Sequence, residues 1–292
     1  MQFSNPWAEP GFFVKAHLHT HTTESDGKLP PEQVATVHHR CGYSVLAITD
    51  HGKVTDTARL ARPDLVMIPG VELGCRASEE VFYHVVALGV RQEQLAGFGG
   101  EVKECLRQIA EAGGLAFIAH PYWSSNTAAD LLGLPNCLGV EVYNHGCEIE
   151  IGKGISSVHW DDCLRRGERY VPFAVDDAHM YGFDVLGGWT MIKVRALTAE
   201  AAMDSIRRGL IYATMGPQII DLRIEDRLIT VETSPANAIR FMCDDQQGWC
   251  EQAWGRPPIT TARWEMSGRE RYVRVEVVDE AGRRAWSPAM YP

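Results

Sequence analysis

Three histidines at alternate positions, His17, His19 and His21, stand in the run KAHLHTHTTESDG, with Asp26 five residues after the last. In an extended strand, residues two apart point to one face. The three imidazoles would therefore gather around a metal or line a solvated edge. The same residue types recur along the chain: Asp50 and His51 in ITDH, Glu72 in PGVE, His84 in FYHVV, His120 in IAHP, Glu141 and Asn144 in EVYN, and Asp176, Asp177 and His179 in VDDAH. Imidazole and carboxylate together suit Zn, Mn or Fe, whereas a thiolate site would need cysteine at these places. None of the eight cysteines falls in the series. They are scattered without a CxxC pair and read as small buried hydrophobes in a reducing compartment. So many N and O ligands imply more than one metal ion.

The elements that must position these groups are short apolar runs alternating with helical patterns. FFVKAHLHTH, SVLAITDH, LVMIPGVEL, VFYHVVALGV, LAFIAHP, CLGVEVYN, YVPFAVDDAH and GWTMIKVRA read as strands, rich in β-branched and aromatic residues. PPEQVATVHHRCG reads as a helix with Pro in its first turn and Gly after its end. EVKECLRQIAEAGG is amphipathic and stopped by Gly113-Gly114, and TAEAAMDSIRRG opens on Thr198 as its N-cap. This order predicts an α/β fold with a mainly parallel sheet or barrel, in which the C-terminal strand ends converge on one face and carry the chemistry. After Gly216-Pro217 the pattern turns to period-two alternation with no helical signal, which predicts a small antiparallel β-domain over 217–292, following a catalytic domain over 1–216.

The balance of charge, 28 basic against 38 acidic residues, disfavours a non-specific grip on a nucleic-acid polymer. It leaves room for a small anionic substrate, because bound cations outweigh local carboxylates. The N-terminal run MQFSNPWAEPGFF has no basic segment leading into a long apolar one, and no stretch approaches 18 apolar residues. Neither a signal peptide nor a membrane span is expected, and the cytoplasm is the expected location.

The stretches HTHTTESDG, AITDH, PGVE, HVV, AHP and DDAH, taken in order, resemble the successive motifs of the PHP (polymerase and histidinol phosphatase) metal-dependent phosphoesterases, over residues 11 to 216. The resemblance is nearest to the carbaryl-hydrolase-like branch. It implies a distorted (β/α)7-type barrel and nine ligands: His19, His21, Asp26, His51, Glu72, His84, His120, Asp177 and His179. By this resemblance His19, His21, Glu72 and Asp177 would hold one ion, and Glu72, His84 and His120 a second. Asp26, His51 and His179 would hold a third. Glu72 would bridge the first pair. His17 then falls where the family often has Asp or Asn.

Up to three divalent ions (Mn, Fe or Zn) point to hydrolysis of a small-molecule phosphate ester by a metal-bridging hydroxide, with Glu72, Asp177 and His179 as the catalytic residues. The rival is hydrolysis of a carbamate or amide by the same machinery. Basic residues in the pocket would favour phosphate, and an apolar aromatic wall would favour a neutral carbamate. Asp50, Asp176, Glu141 and Asn144 are expected to orient ligands, and His38 and His39 to lie on a solvated helix face. The long segment YNHGCEIEIGKGISSVHWDD is expected to form a loop over the metals, so Trp123, His145, Lys153 and His159 are candidate substrate contacts. The β-domain could mediate a homo-oligomer.

Overall fold

A computed structural model describes residues 5–244 and 246–291. The first strands are β1 (Phe12–His17), β2 (Val45–Ile48) and β3 (Val66–Arg76), paired in parallel, with α1 (Pro31–Arg40) between the first two. β4 (Phe82–Leu88) runs antiparallel to β3, and the two-residue β5 (Gly100–Glu101) pairs with the end of β3. α2 (Val102–Glu111) leads into β6 (Leu115–Ile118), which lies antiparallel to β4 and parallel to β7 (Cys137–Asn144). Two helices, α3 (His145–Ile151) and α4 (Ser157–Arg165), precede β8 (Val171–Val175), parallel to β7. β9 (Trp189–Val194), α5 (Ala199–Arg207) and β10 (Ile211–Thr214) follow, with β9 antiparallel to both β1 and β10.

The fold is mixed α/β with one large sheet. The parallel character expected from the sequence holds for β1–β2–β3 and β6–β7–β8, and the antiparallel β4 joins those two blocks. β8 has no ladder to β9. Instead the Thr190 hydroxyl accepts from Ala174 N at 3.2 Å and donates to Ala174 O at 3.0 Å, drawing the sheet's far edge back toward its centre. All four residues of β2 and of β6 are buried, as strands covered on both faces require. Phe117 of β6 and Phe173 of β8 stack at 4.1 Å, each burial contributing roughly 1.5–3 kcal/mol.

Local signals account for the helices. α2 buries Val102, Cys105, Leu106 and Ile109, one stripe at helical spacing, and its N-cap Glu101 accepts from Glu104 N at 2.9 Å. Thr198 accepts from Ala201 N at 3.1 Å to cap α5. The segment expected to be a loop contains α3 and α4 instead. Asn144 accepts from Cys147 N to start α3, and Gly152, at φ 72°, ends it.

The C-terminal strands are β11 (Ile219–Glu225), β12 (Leu228–Ala236), β13 (Ala238–Cys243), β14 (Gly248–Gln252), β15 (Ile259–Glu265), β16 (Val273–Val278) and β17 (Arg284–Trp286). They are antiparallel, but they do not all join in one separate sheet. β17 pairs with β10, so the run β14–β13–β16–β17 continues the large sheet, while β11–β12–β15 makes a second sheet of three strands. Trp7 and Tyr212 from the N-terminal part share a core with Leu222, Ile239 and Val275. Arg274, wholly buried, donates to both carboxylate oxygens of Asp161 on α4 at 2.7 and 2.6 Å. Burial and ion pairing thus join this module to the rest.

Among the described residues no helix is long and apolar enough to cross a membrane. All eight cysteines are free. Five are buried, Cys137 is partly so, and Cys41 and Cys250 are exposed, contrary to the expectation of uniform burial.

Candidate metal centre

The polar residues of the sequence motifs meet at the C-terminal ends of the parallel strands. β1 ends at His17, and the chain beyond it carries His19 and His21; β2 is followed by Asp50 and His51, β6 by His120, and β8 by Asp176 and Asp177. Glu72 lies within β3, beyond its parallel pairing with β2, and His84 lies opposite Gly74 on the antiparallel β4. Two of these residues hold left-handed backbone, His120 at φ 28° and Asp177 at φ 55°. Such conformations cost of order 1–3 kcal/mol each in non-glycine residues and cluster at functional sites.

Glu72 is the hub. Its buried carboxylate places Oε2 3.1 Å from His19 Nε2, 3.1 Å from His21 Nε2 and 3.2 Å from His51 Nδ1. Oε1 lies 2.6 Å from His84 Nδ1 and 3.4 Å from His120 Nε2. Asp177 faces the same group, with Oδ1 3.2 Å from His19 Nε2 and 2.9 Å from His21 Nε2. Asp26, more exposed, stands 3.7 Å from His51 Nε2 and 3.5 Å from His179 Nε2. The nitrogen and oxygen atoms that could hold metal fall into sets that each fit within 4.8 Å, among them His19, His21, Glu72 and Asp177; Glu72, His84 and His120; and His21, Asp26, His51 and His179.

The partners of the outward ring nitrogens set which nitrogen stays free. Glu141 on β7 accepts from His19 Nδ1 at 2.7 Å, which leaves the Nε2 lone pair aimed at Glu72 and Asp177. His179 Nδ1 donates to Asp177 O at 2.8 Å and leaves Nε2 toward Asp26. His120 Nδ1 sits 3.0 Å from Ser124 Oγ, with Nε2 toward Glu72. Glu72 Oε2 and Asp177 Oδ1 are buried without an aligned hydrogen bond, although imidazole nitrogens surround them. Lone pairs facing buried carboxylate oxygens at about 3 Å are a cation's donor set, so the residues present fit divalent metal.

Electrostatics agree. Burial would push His19 and His21 down, but the carboxylates of Asp177 and Glu72 outweigh it. Without a cation, His19 is held well above the usual imidazole value and His21 rises to about 9. Burial would raise Glu72 and Asp177, but the neighbouring imidazoles hold both well below the carboxylate range. The site demands positive charge.

Supporting residues fix the loops. Asp50 accepts from Thr22 N at 2.7 Å, Thr22 Oγ1 at 2.8 Å and Ser25 Oγ at 2.8 Å, and so shapes the turn that carries His21 and Asp26. Gly27 closes that turn, where a Cβ would stand 2.6 Å from the carbonyl carbon of His21. Asp176 accepts from the backbone of Leu186, Gly187 and Gly188, holding the loop after His179. Glu141 does more than the sequence suggested. Besides His19 it accepts from His120 N at 2.7 Å and from Asn144 Nδ2 at 2.8 Å, and Asn144 reaches Asp177 Oδ2 at 3.2 Å. Its signal was a carboxylate inside the otherwise apolar CLGVEVYN strand.

Other expectations are corrected. His17 is not on one face with His19 and His21, because β1 ends at His17. It packs with His38, ring centroids 4.5 Å apart, and near Asp176. His38 is wholly buried, not solvated, with burial driving it down to about 4; its Nδ1 bonds Val34 O. Trp123 lines the cavity over the ligands, which encloses about 440 Å³. His145, Lys153 and His159 do not line it. His145 pairs with Tyr143 Oη at 2.8 Å, Lys153 lies over the Tyr122 ring, and His159 packs beside that ring, because the segment folds into α3 and α4.

Comparison of the sequence with family models and with characterised proteins finds no match. Among solved structures, the chain is similar to a two-domain protein from Bacteroides vulgatus containing a predicted PHP-like metal-dependent phosphoesterase. That likeness has a TM-score of 0.55 at 15% identity and covers 92% of this chain and 91% of the other. The chain has a PHP-like fold. The chain is also similar to an amidohydrolase from Chromobacterium violaceum, at a TM-score of 0.44 and 17% identity, over 67% of this chain and 96% of that one. A lesion-specific endonuclease from Pyrococcus furiosus is similar at a TM-score of 0.49 and 13% identity, over 68% of this chain and 56% of that one. Both likenesses are too loose to bear on function.

Proposed function

We propose that the chain is a metal-dependent hydrolase of phosphate esters, with up to three divalent ions (Mn, Fe or Zn) held by His19, His21, Asp26, His51, Glu72, His84, His120, Asp177 and His179. One observation carries the reading: the single buried carboxylate of Glu72 faces five imidazoles, three through one oxygen and two through the other. A structural site needs about four ligands, and the nine candidate ligands named here are more than twice that number. Ions bound there would neutralise phosphoryl oxygens and lower the pKa of a bound water toward about 7.

The chain's own residues do the positioning. Glu72 and Asp177 supply the negative charge that makes close cations tolerable, with Glu72 shared between the first two sets. Glu141 holds the tautomer of His19, and His179 and Asp26 stand at the cavity mouth. Glu72, Asp177 and His179 are assigned to catalysis. The catalytic unit is residues 1–216, a distorted (β/α)7-type barrel, and it is followed over 217–292 by a β-rich module of which β13, β14, β16 and β17 extend its sheet.

A second reading, hydrolysis of a carbamate or amide, is favoured by one feature: among the described residues lining the cavity there is no Lys or Arg. The test compares aryl phosphates with aryl carbamates on metal-loaded protein, with and without chelator. Phosphate turnover that needs metal and is inhibited competitively by inorganic phosphate supports the first reading. Faster carbamate turnover without phosphate inhibition supports the second.

A further inference from the structure

Beyond the ligands, the cavity has a composition of its own. Trp123 forms one wall, its ring 5.0 Å from that of His120 and 6.2 Å from that of His84. Its indole N–H donates to Glu150 Oε2 at 3.2 Å, which fixes the ring's tilt. Met180 and Phe183, from the loop after β8, form another wall, and both are at least half exposed. Gly146 and Cys147 also line it, and two further carboxylates do so. Glu150 is one, and Asp184 is the other, nearly buried, with Oδ2 accepting from His179 N and Met180 N and Oδ1 without a partner.

These groups act differently on the two ends of a substrate. A phosphoryl group would be held by cations at the floor. Whatever is attached to it must lie against indole, phenyl and thioether, beside two carboxylates and no described Lys or Arg. Aromatic faces and sulfur favour flat apolar groups. Carboxylates in a partly enclosed cleft repel a second anion. The volume, about 440 Å³, is that of a small-molecule site. A polynucleotide presents a phosphate at every step and would meet these carboxylates with no compensating cation.

We infer that the substrate is an ester of a single phosphoryl group whose leaving group is aromatic or aliphatic and carries no second negative charge, with Trp123, Met180 and Phe183 as its specificity wall and Glu150 and Asp184 as its anion filter. This rests on the phosphoesterase reading. In the reaction, water oxygen bonds to phosphorus, the phosphorus–oxygen bond to the leaving group breaks, and water's protons end on the released alcohol or phenol and on phosphate. Nothing is oxidised or reduced.

The experiment pairs turnover with binding on the metal-loaded protein. Hydrolysis of phenyl phosphate is compared with that of 4-carboxyphenyl phosphate, and calorimetry compares phenylphosphonate with 4-carboxyphenylphosphonate. The carboxylated member of each pair is expected to be poorer by roughly tenfold or more, and the double variant Glu150→Gln/Asp184→Asn to narrow that gap. Trp123→Ala is expected to raise KM for phenyl phosphate by about tenfold while kcat changes less than threefold. Equal binding of the two phosphonates, or a gap unmoved by the double variant, overturns the inference. Selective phosphonate binding without hydrolysis of any phosphate ester upholds the wall and filter and overturns the phosphoesterase reading alone.

Discussion

Replacing Glu141 by Gln should disable His19 as a ligand without moving a backbone atom. Glu141 Oε1 accepts from His19 Nδ1, and Oε2 accepts from both His120 N and Asn144 Nδ2. An amide has one acceptor oxygen. If that oxygen serves the two donors at His120 and Asn144, the NH2 group faces His19 Nδ1, and two donors meet. His19 escapes by moving its proton to Nε2, the nitrogen that faces Glu72 and Asp177. A protonated Nε2 cannot ligate. Loss of such a supporting bond costs 10–100-fold in metal affinity, or about 1.4–2.7 kcal/mol. The assay is competition for Zn or Mn against a chromophoric chelator, with circular dichroism to verify the fold. Affinity within twofold of the parent, in a folded Glu141→Gln protein, would refute the tautomer argument.

His21→Asn should lose metal and activity together, whereas His17→Asn should keep most metal, because His17 faces His38 and Asp176 instead of Glu72; equal loss measured by elemental analysis would show that His17 ligates. Asp161→Ala should destabilise the protein by about 3 kcal/mol in urea unfolding, since it strands the buried Arg274 guanidinium; a change under 1 kcal/mol would mean that Glu276 suffices as partner. Without metal His21 is raised to about 9, so at pH 7.5 it carries a proton that ligation must expel. Metal affinity should therefore fall as pH drops, and calorimetry in buffers of different ionisation enthalpy should register proton release; buffer-independent heats would contradict it.

The candidate ligands were legible because they stand in recognisable motifs, most of them just past the end of a parallel strand, whereas Glu72 and His84 lie within β3 and β4. Period and caps gave α2 and α5 nearly to the residue. Less legible was whatever depended on partners remote in sequence. His38 lies on a helix whose pattern suggested solvent, but His17 and Tyr43 cover it. The 145–165 segment lacks an obvious apolar period, yet Asn144 caps a first helix and Trp160, Cys163 and Leu164 anchor a second. The tail's alternation gave strands but not their neighbours, so the β17–β10 pairing that extends the large sheet was invisible. The weight of Glu141 emerged only when its three donors, up to 122 residues away, were in place.

The central claim is that one carboxylate, Glu72, organises a centre of more than one metal ion. Titrating metal-free protein with Mn or Zn while counting bound ions by mass spectrometry of the intact chain tests it directly, with Glu72→Ala alongside. The account predicts uptake of up to three ions by the parent, and in Glu72→Ala the loss of both sites that share the carboxylate together with all hydrolysis. A single ion bound equally by parent and variant would contradict it.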